Sequence, residues 1–377
     1  MWKKQLGYWF YGLVSHLFGV LPVQKGKVVG YLVHNDHFQG NMKYLFDAMQ
    51  EKGEKKKFVV VSKQDLFQGS KWNKIKGAVY FYLVLNYHFS TAEEIYLNDN
   101  FLPLAYMRLH KKTKVVQLWH GIGAWKRFGL STEEDETTRR AVKKGNQKIT
   151  HLFVSGEQVV PFYKEAFGIA ENRIYPTGLP VLDFYFSKEK LERAKAQVYE
   201  EYPNLKGKKI ALYTPTFRKT EAENINLLSQ LEGEQLEKQL GEEWVILLRL
   251  HPSLQGMGLS IPTSDRMWNV SHYPDVKELY AVADVLINDY SSTMVEFSLL
   301  RKPIVLFAYD LEAYDRGFYA DYQTYAPGPI VRTLEDLAKA IAQEKIDEEK
   351  YQSFVKLHYS YVDGENAKRV LEIMERC

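Results

Sequence analysis

Apolar positions near the start of the chain recur every three or four residues: Trp2, Leu6, Trp9, Phe10, Leu13, Val14, Leu17 and Leu21. That spacing builds one wide stripe on a helix, with Lys3, Lys4, Gln5, Ser15 and His16 largely off it. After Lys27 the pattern changes. Short β-rich runs at 28–33, 58–61, 80–85, 115–119 and 152–154 alternate with helical patterns, as expected for parallel strands joined by crossover helices. Residues 175–180 break the series with two prolines and a glycine, and a charged helix is predicted over 187–202. A second series follows at 209–214, 244–250, 285–288 and 304–307. The chain is therefore expected to hold an amphipathic helix (residues 1–22) and two Rossmann-like α/β domains (23–180 and 181–377). Open sheets of this kind bind ligands beyond the carboxyl ends of their strands, and two facing domains would form a cleft there.

The length of 377 residues suits two cores better than one. With 45% hydrophobic and 26% charged residues the chain is a folded protein, and a net charge of only +3 gives no field that would attract nucleic acid. The single cysteine, Cys377, excludes an intrachain disulfide and a cysteine metal cage, in keeping with a reducing cytoplasm. No acidic residue precedes Asp36, while Lys3, Lys4, Lys25 and Lys27 are basic. The apolar stretch 6–21 is short for a membrane span and is interrupted by three glycines and His16. The first helix is expected to lie on an anionic membrane surface, separable from the folded body; packing of its stripe on that body is the alternative.

Three strand ends carry candidate chemistry. The run 115–119 leads into His120, Gly121 and Gly123, with Trp125, Lys126 and Arg127 close behind; glycines allow a ligand near the backbone and leave an imidazole at the strand end. The run 244–250 delivers Arg249 and His251 on one face of a strand, so both could meet one anion, and Tyr213 to Arg218 has the same design. The run 284–288 opens into Ser291, Ser292 and Thr293 at a predicted helix start, with Glu296 one turn on. A helix start with free amides suits a phosphate and a carboxylate one turn later suits ribose hydroxyls, although serine before a helix also serves as a simple cap. Tyr309, Asp310 and residues 315–318 look like a polar rim. His34, Asp36 and His37 lack a further ligand for a metal, and the chain has no Asp-x-Asp pair.

Together Trp119-His120-Gly121 with Lys126 and Gly129, Thr214 to Arg218, Arg249 to Pro252, Asn288 to Ser292 with Glu296, and Arg316 to Tyr319 resemble the CDP-glycerol glycerophosphotransferase family of teichoic acid synthesis. The resemblance implies a two-domain fold of the glycosyltransferase-B type, no metal and no cofactor, an acceptor-side domain at 23–180 and a CDP-glycerol-binding domain at 181–377. It implies His120 and His251 as catalytic and Arg218, Ser292 and Glu296 as donor-contacting; the residue pattern itself adds Arg249, Ser291 and Thr293 as expected donor-binding residues and Trp125, Lys126 and Arg316 on the acceptor side or phosphate rim. Many polymerising members continue Thr-Pro-Leu-Lys after Trp-His-Gly, whereas this chain reads Ile122-Gly123-Ala124-Trp125-Lys126. That departure and the short single-module length look more like the primase, which adds the first glycerol phosphate to an undecaprenyl-diphosphate-linked disaccharide. Trp125 would then either offer a flat face to a sugar ring or serve as a loop anchor. The implied location is peripheral, on the cytoplasmic face of the membrane, and a homo-oligomer is compatible with the sequence. A polyol-phosphate polymerase of the same family and a nucleotide-sugar glycosyltransferase are the alternatives.

Overall fold

The computed structural model describes every residue except 1, 34–37, 68, 231–232, 256, 315–316 and 377. Twelve strands form two parallel sheets. The first contains β1 (Lys27–Leu32), β2 (Lys57–Ser62), β3 (Glu94–Leu97), β4 (Lys114–Gln117), β5 (His151–Phe153) and β6 (Ile174–Tyr175), in the order β2-β1-β3-β4-β5-β6. The second contains β7 (Lys209–Tyr213), β8 (Trp244–Leu248), β9 (Met267–Asn269), β10 (Val285–Asn288), β11 (Ile304–Phe307) and β12 (Ile330–Val331), in the order β12-β11-β10-β7-β8-β9. Parallel strands need crossovers, and helices on both faces leave strands apolar throughout. Accordingly β1, β8, β10 and β11 are buried along their whole length. In the second sheet the strand order reverses between β7 and β10, whose register pairs Ala211 with Val285 and Tyr213 with Ile287. Such a reversal leaves a crevice beyond the strand ends.

The chain forms two compact units, one of residues 1–183 and 359–377, the other of 184–358. The expected second domain, 181–377, is thus corrected at its end, because the last segment returns to the first unit. Helix Asn366–Arg376 buries Val370, Leu371 and Met374 and packs on helix Gly40–Glu51. Its first amides are capped from a distance in sequence: Asn366 and Ala367 donate to the Asp183 carboxylate at 2.9 Å each. Gly178, at φ +81°, lies so close to Asn366 that a Cβ would sit 1.8 Å from its Oδ1. A helix that looks local to one domain therefore closes the other.

The expected strand 80–85 is helical. Helix Lys71–Val79 continues through a π-helical segment, Tyr80–Leu85, into helix Asn86–Ser90. Phe81, Leu85 and Phe89, four residues apart, are its buried hydrophobic side chains. That is a helical period, which the dense aromatic and aliphatic composition hides from a strand-based reading.

Helix Trp2–Phe18 has two different faces. Tyr11, Val14 and Ser15 are buried: the Tyr11 ring lies 4.8 Å from Phe81 and 5.8 Å from Phe101, and Ser15 accepts from the Arg108 amide at 3.0 Å. Leu6, Trp9, Phe10, Leu13 and Leu17 remain exposed. The helix is part of the folded body, so the expectation that it is separable is corrected. Among the described residues no helix is long and apolar enough to cross a membrane.

Candidate active site

In the first unit, β4 ends at Gln117, and the chain must turn at once to present His120. Gln117 arranges this by accepting from the Trp119 amide at 2.9 Å through Oε1 and donating through Nε2 to the Asp99 carbonyl at 3.1 Å. Trp119 sits at φ +50°, a left-handed conformation unusual for a bulky side chain. Its indole compensates by stacking on Phe128 at 5.5 Å and meeting Phe167 edge-on at 5.2 Å, while Asn41 donates to the Leu118 and Trp119 carbonyls. His120 emerges exposed from this held turn. Its Nδ1 lies 3.2 Å from the Asn98 carbonyl oxygen, which can only accept, so the neutral ring carries its proton on Nδ1 and its lone pair on Nε2.

The following loop is pinned rather than mobile. The Tyr163 hydroxyl lies 3.1 Å from the Gly121 carbonyl oxygen and 2.9 Å from that of Gly123. Gly129 adopts φ +60° where a Cβ would come within 2.5 Å of the Ala166 carbonyl oxygen. Trp125 is 1% exposed and presents no ring face to a ligand; of its two expected roles the burial fits the loop anchor and not the sugar platform. Lys126 is half-buried, and Arg127 pairs with Glu165 at 3.8 Å on the surface. Arg316, His34, Asp36 and His37 lie outside the described residues.

In the second unit three strand ends converge. After β7, Thr214 meets Thr293 at 2.8 Å between hydroxyls, and Asn288 at the end of β10 donates to both, at 3.1 and 2.6 Å. Asn288 also accepts from the Ser291 amide at 3.0 Å, so the turn before helix Thr293–Phe297 is fixed to the sheet. Ser292, the N-cap residue, makes no capping bond with its side chain, and Ser291 and Ser292 stay partly exposed. The Thr293 hydroxyl, by contrast, is consumed inside the network.

Arg249, one residue beyond β8, donates to the Tyr273 carbonyl at 2.5 Å. It has no carboxylate in ion-pair range among the described residues, and burial lowers its pKa. Glu296 accepts from the Tyr185 hydroxyl at 2.7 Å; burial raises its pKa, with Lys277 and the Tyr185 bond acting against the rise. Arg249 and Glu296 share a neighbourhood, since both act electrostatically on the buried Tyr280 hydroxyl. His251 is exposed and its ring tilts against Phe217 at 4.6 Å.

Arg218 stands apart. Its Nε and Nη2 donate to Asp310 at 2.7 and 3.0 Å, and its Nη1 donates to Asp289 at 3.0 Å and to the Thr216 carbonyl at 2.5 Å. Asp289, Asn288, Tyr185, Gln117 and Asn98 were given no role by sequence reasoning. For Asp289 the signal was available: an acid ending an apolar strand must be paired once buried.

Comparison with known proteins gives the chain's relatives. Residues 13–376 match the family model described as CDP-glycerol:poly(glycerophosphate) glycerophosphotransferase. A teichoic acid poly(ribitol-phosphate) polymerase of Bacillus spizizenii is 31% identical over 94% of this chain and 57% of its own length. A teichoic acid glycerol-phosphate primase of Bacillus subtilis is 33% identical over 75% of this chain and 73% of its own. The chain thus spans little more than half the length of the polymerase. A structure of the wall teichoic acid polymerase TagF shares the fold, with a TM-score of 0.77, 23% identity, and coverage of 97% of this chain and 93% of that one.

Proposed function

This chain belongs to the CDP-glycerol:poly(glycerophosphate) glycerophosphotransferase family, and from that membership we propose that it transfers glycerol phosphate from CDP-glycerol to an N-acetylmannosaminyl-N-acetylglucosamine diphospho-undecaprenol acceptor. The architecture of two parallel sheets supports a glycosyltransferase-B reading. The acceptor hydroxyl attacks the phosphorus that bears glycerol, the bond from that phosphorus to the CMP oxygen breaks, and CMP leaves with the electron pair. An alcohol is protonated at neutral pH, so attack needs a base, and the Nε2 lone pair of His120 takes the proton. CMP leaves as a phosphate with a second pKa of about 6 and needs charge neutralisation more than a proton. Arg249 and His251 supply it, with the partly exposed Ser291 and Ser292 hydroxyls, while Glu296 holds the ribose. The observation that carries this assignment is Arg249, a half-buried guanidinium that donates to the Tyr273 carbonyl, has no carboxylate in ion-pair range among the described residues and shares the surroundings of Tyr280 with Glu296.

The donor-side reading has a direct test. With CDP-glycerol and the lipid acceptor, CMP should appear in step with product. Turnover of a uridine-diphosphate sugar instead, with release of UDP, would favour a nucleotide-sugar transferase. A polymerase reading is kept in view by the match to the ribitol-phosphate polymerase along nearly all of this chain.

The membrane-bound acceptor matches the apolar surface of the first unit. Trp9 is 58% exposed, and in the segment that leads into Tyr82 Trp72 is 74% exposed, with Ile75, Val79 and Leu83 also uncovered. A ring contact of 5.4 Å between Phe10 and Tyr82 joins the N-terminal helix to the segment Tyr80–Leu85. No acidic residue occurs before Asp36 or between Lys71 and Ala92, while Lys71, Lys74 and Lys76 are exposed. An apolar face with basic neighbours and no acids suits an anionic bilayer surface, giving a peripheral enzyme at the cytoplasmic face.

A further inference from the structure

Arg218 looks in sequence like a phosphate ligand at a strand end, but its surroundings have the wrong charge for that. Four of its five N–H donors are occupied by Asp310, Asp289 and the Thr216 carbonyl. The guanidinium and the two carboxylates sum to a net charge of −1, taken as +1 − 2, in a buried place where solvent screens little. A donor diphosphate brought here would meet repulsion and would have to break a bidentate pair. Arg249 has neither obstacle. We propose that Arg218 is a positioning residue: through Asp289 and Asp310 it fixes the turn 288–293 that receives the donor, and it does not touch the donor itself.

The contacts show how this works. Asp289 follows β10 directly and is fully buried; it accepts the Thr216 amide at 2.9 Å and the Tyr290 amide at 2.5 Å, so it clamps the ends of β7 and β10 together. Asp310 lies just beyond β11 and also accepts from the Tyr290 hydroxyl at 2.8 Å. The Tyr290 ring lies 5.0 Å from the guanidinium carbon and 3.9 Å from the Tyr314 ring. Arg218 is also tied behind itself, its amide donating to Asn224 at 2.6 Å. One buried cation thereby joins three strand-end loops, one of which carries Ser291 and Ser292. Arg218→Lys would lose the planar fork that spans both carboxylates, and Asp310→Asn would lose the bidentate pair, so in either case the turn would relax.

The test is a double-mutant cycle read by CDP-glycerol titration, using Arg218→Lys, Asp310→Asn and the pair. The inference rests on CDP-glycerol as donor. If Arg218 positions the turn through Asp310, each single change should weaken binding by about tenfold and the pair by little more, because both break the same unit. If Arg218 binds the diphosphate directly, Asp310→Asn would release the arginine and tighten binding, and the cycle would show Arg218→Lys losing affinity in either background; that result overturns the proposal. Amide exchange across 288–293 gives a second readout on the folded chain. It should speed up in both single variants, and unchanged exchange there would also refute the positioning role. Absence of CDP-glycerol binding by the unsubstituted chain would defeat the donor assignment, while the exchange data would still decide the role of Arg218.

Discussion

The proposed role of His120 as a base on the acceptor predicts that its removal separates chemistry from donor binding. His120→Ala is expected to lower kcat by about a hundredfold to ten-thousandfold, the usual range for a general base, while CDP-glycerol titrates normally. Loss of donor affinity equal to the loss of turnover would contradict that division. Which residues stood at strand ends could be read from the sequence, because a strand is visible as an apolar run and its end as a change to polar residues and glycine. What those residues touch could not. Arg218 and Arg249 both follow strand ends, after β7 and β8, yet one is held by two carboxylates from loops 71 and 92 residues away, and the other donates to a carbonyl and has no carboxylate in ion-pair range among the described residues. Trp125 shows the same limit, since only the packed structure tells a stacking platform from a buried anchor.

The first helix and the 71–90 segment are elements whose period was informative on one face and misleading on the other. Along Trp2–Phe18 two apolar stripes run side by side, and a single wide stripe was all the sequence could display. Deleting the helix would strip Tyr11 and Val14 from the body, so substitutions on the exposed stripe separate docking from folding more cleanly. Trp9→Asp with Trp72→Asp should leave the thermal midpoint nearly unchanged, as expected for exposed sites, and should weaken binding to phosphatidylglycerol vesicles by at least about tenfold. Equal vesicle binding by this variant would remove these two helices as the docking surface.

Across the molecule, alternation of strands and helices made two α/β units legible, while the return of the C-terminal helix was not, because Asp183 and Asn366 meet across 183 residues of chain. Each unit also carries a buried histidine that sequence reading passed over. Burial, aided by Lys114, holds His151 down to about 4, and burial holds His358 down to about 3. An unfolded histidine titrates near 6.5, so below that pH the unfolded chain takes up protons that the folded chain refuses. The stability these neutral rings contribute is present above about 6.5 and is lost as pH falls through the window down to about 4 for His151 and about 3 for His358. Denaturation midpoints should fall between pH 7 and 4, less steeply in His151→Gln; an identical slope in that variant would show that His151 does not contribute.

A primase must recognise a sugar and then reject the phosphoglycerol end it has just made, whereas a polymerase must accept its own product. The mass spectrum of the lipid product, formed with excess CDP-glycerol and a synthetic N-acetylmannosaminyl-N-acetylglucosamine diphospho-lipid, tests both the transfer and its extent. The expected spectrum contains the acceptor plus one glycerol phosphate and nothing longer. A ladder of glycerol phosphate additions would contradict the primase step, and an unmodified acceptor would contradict the proposed transfer.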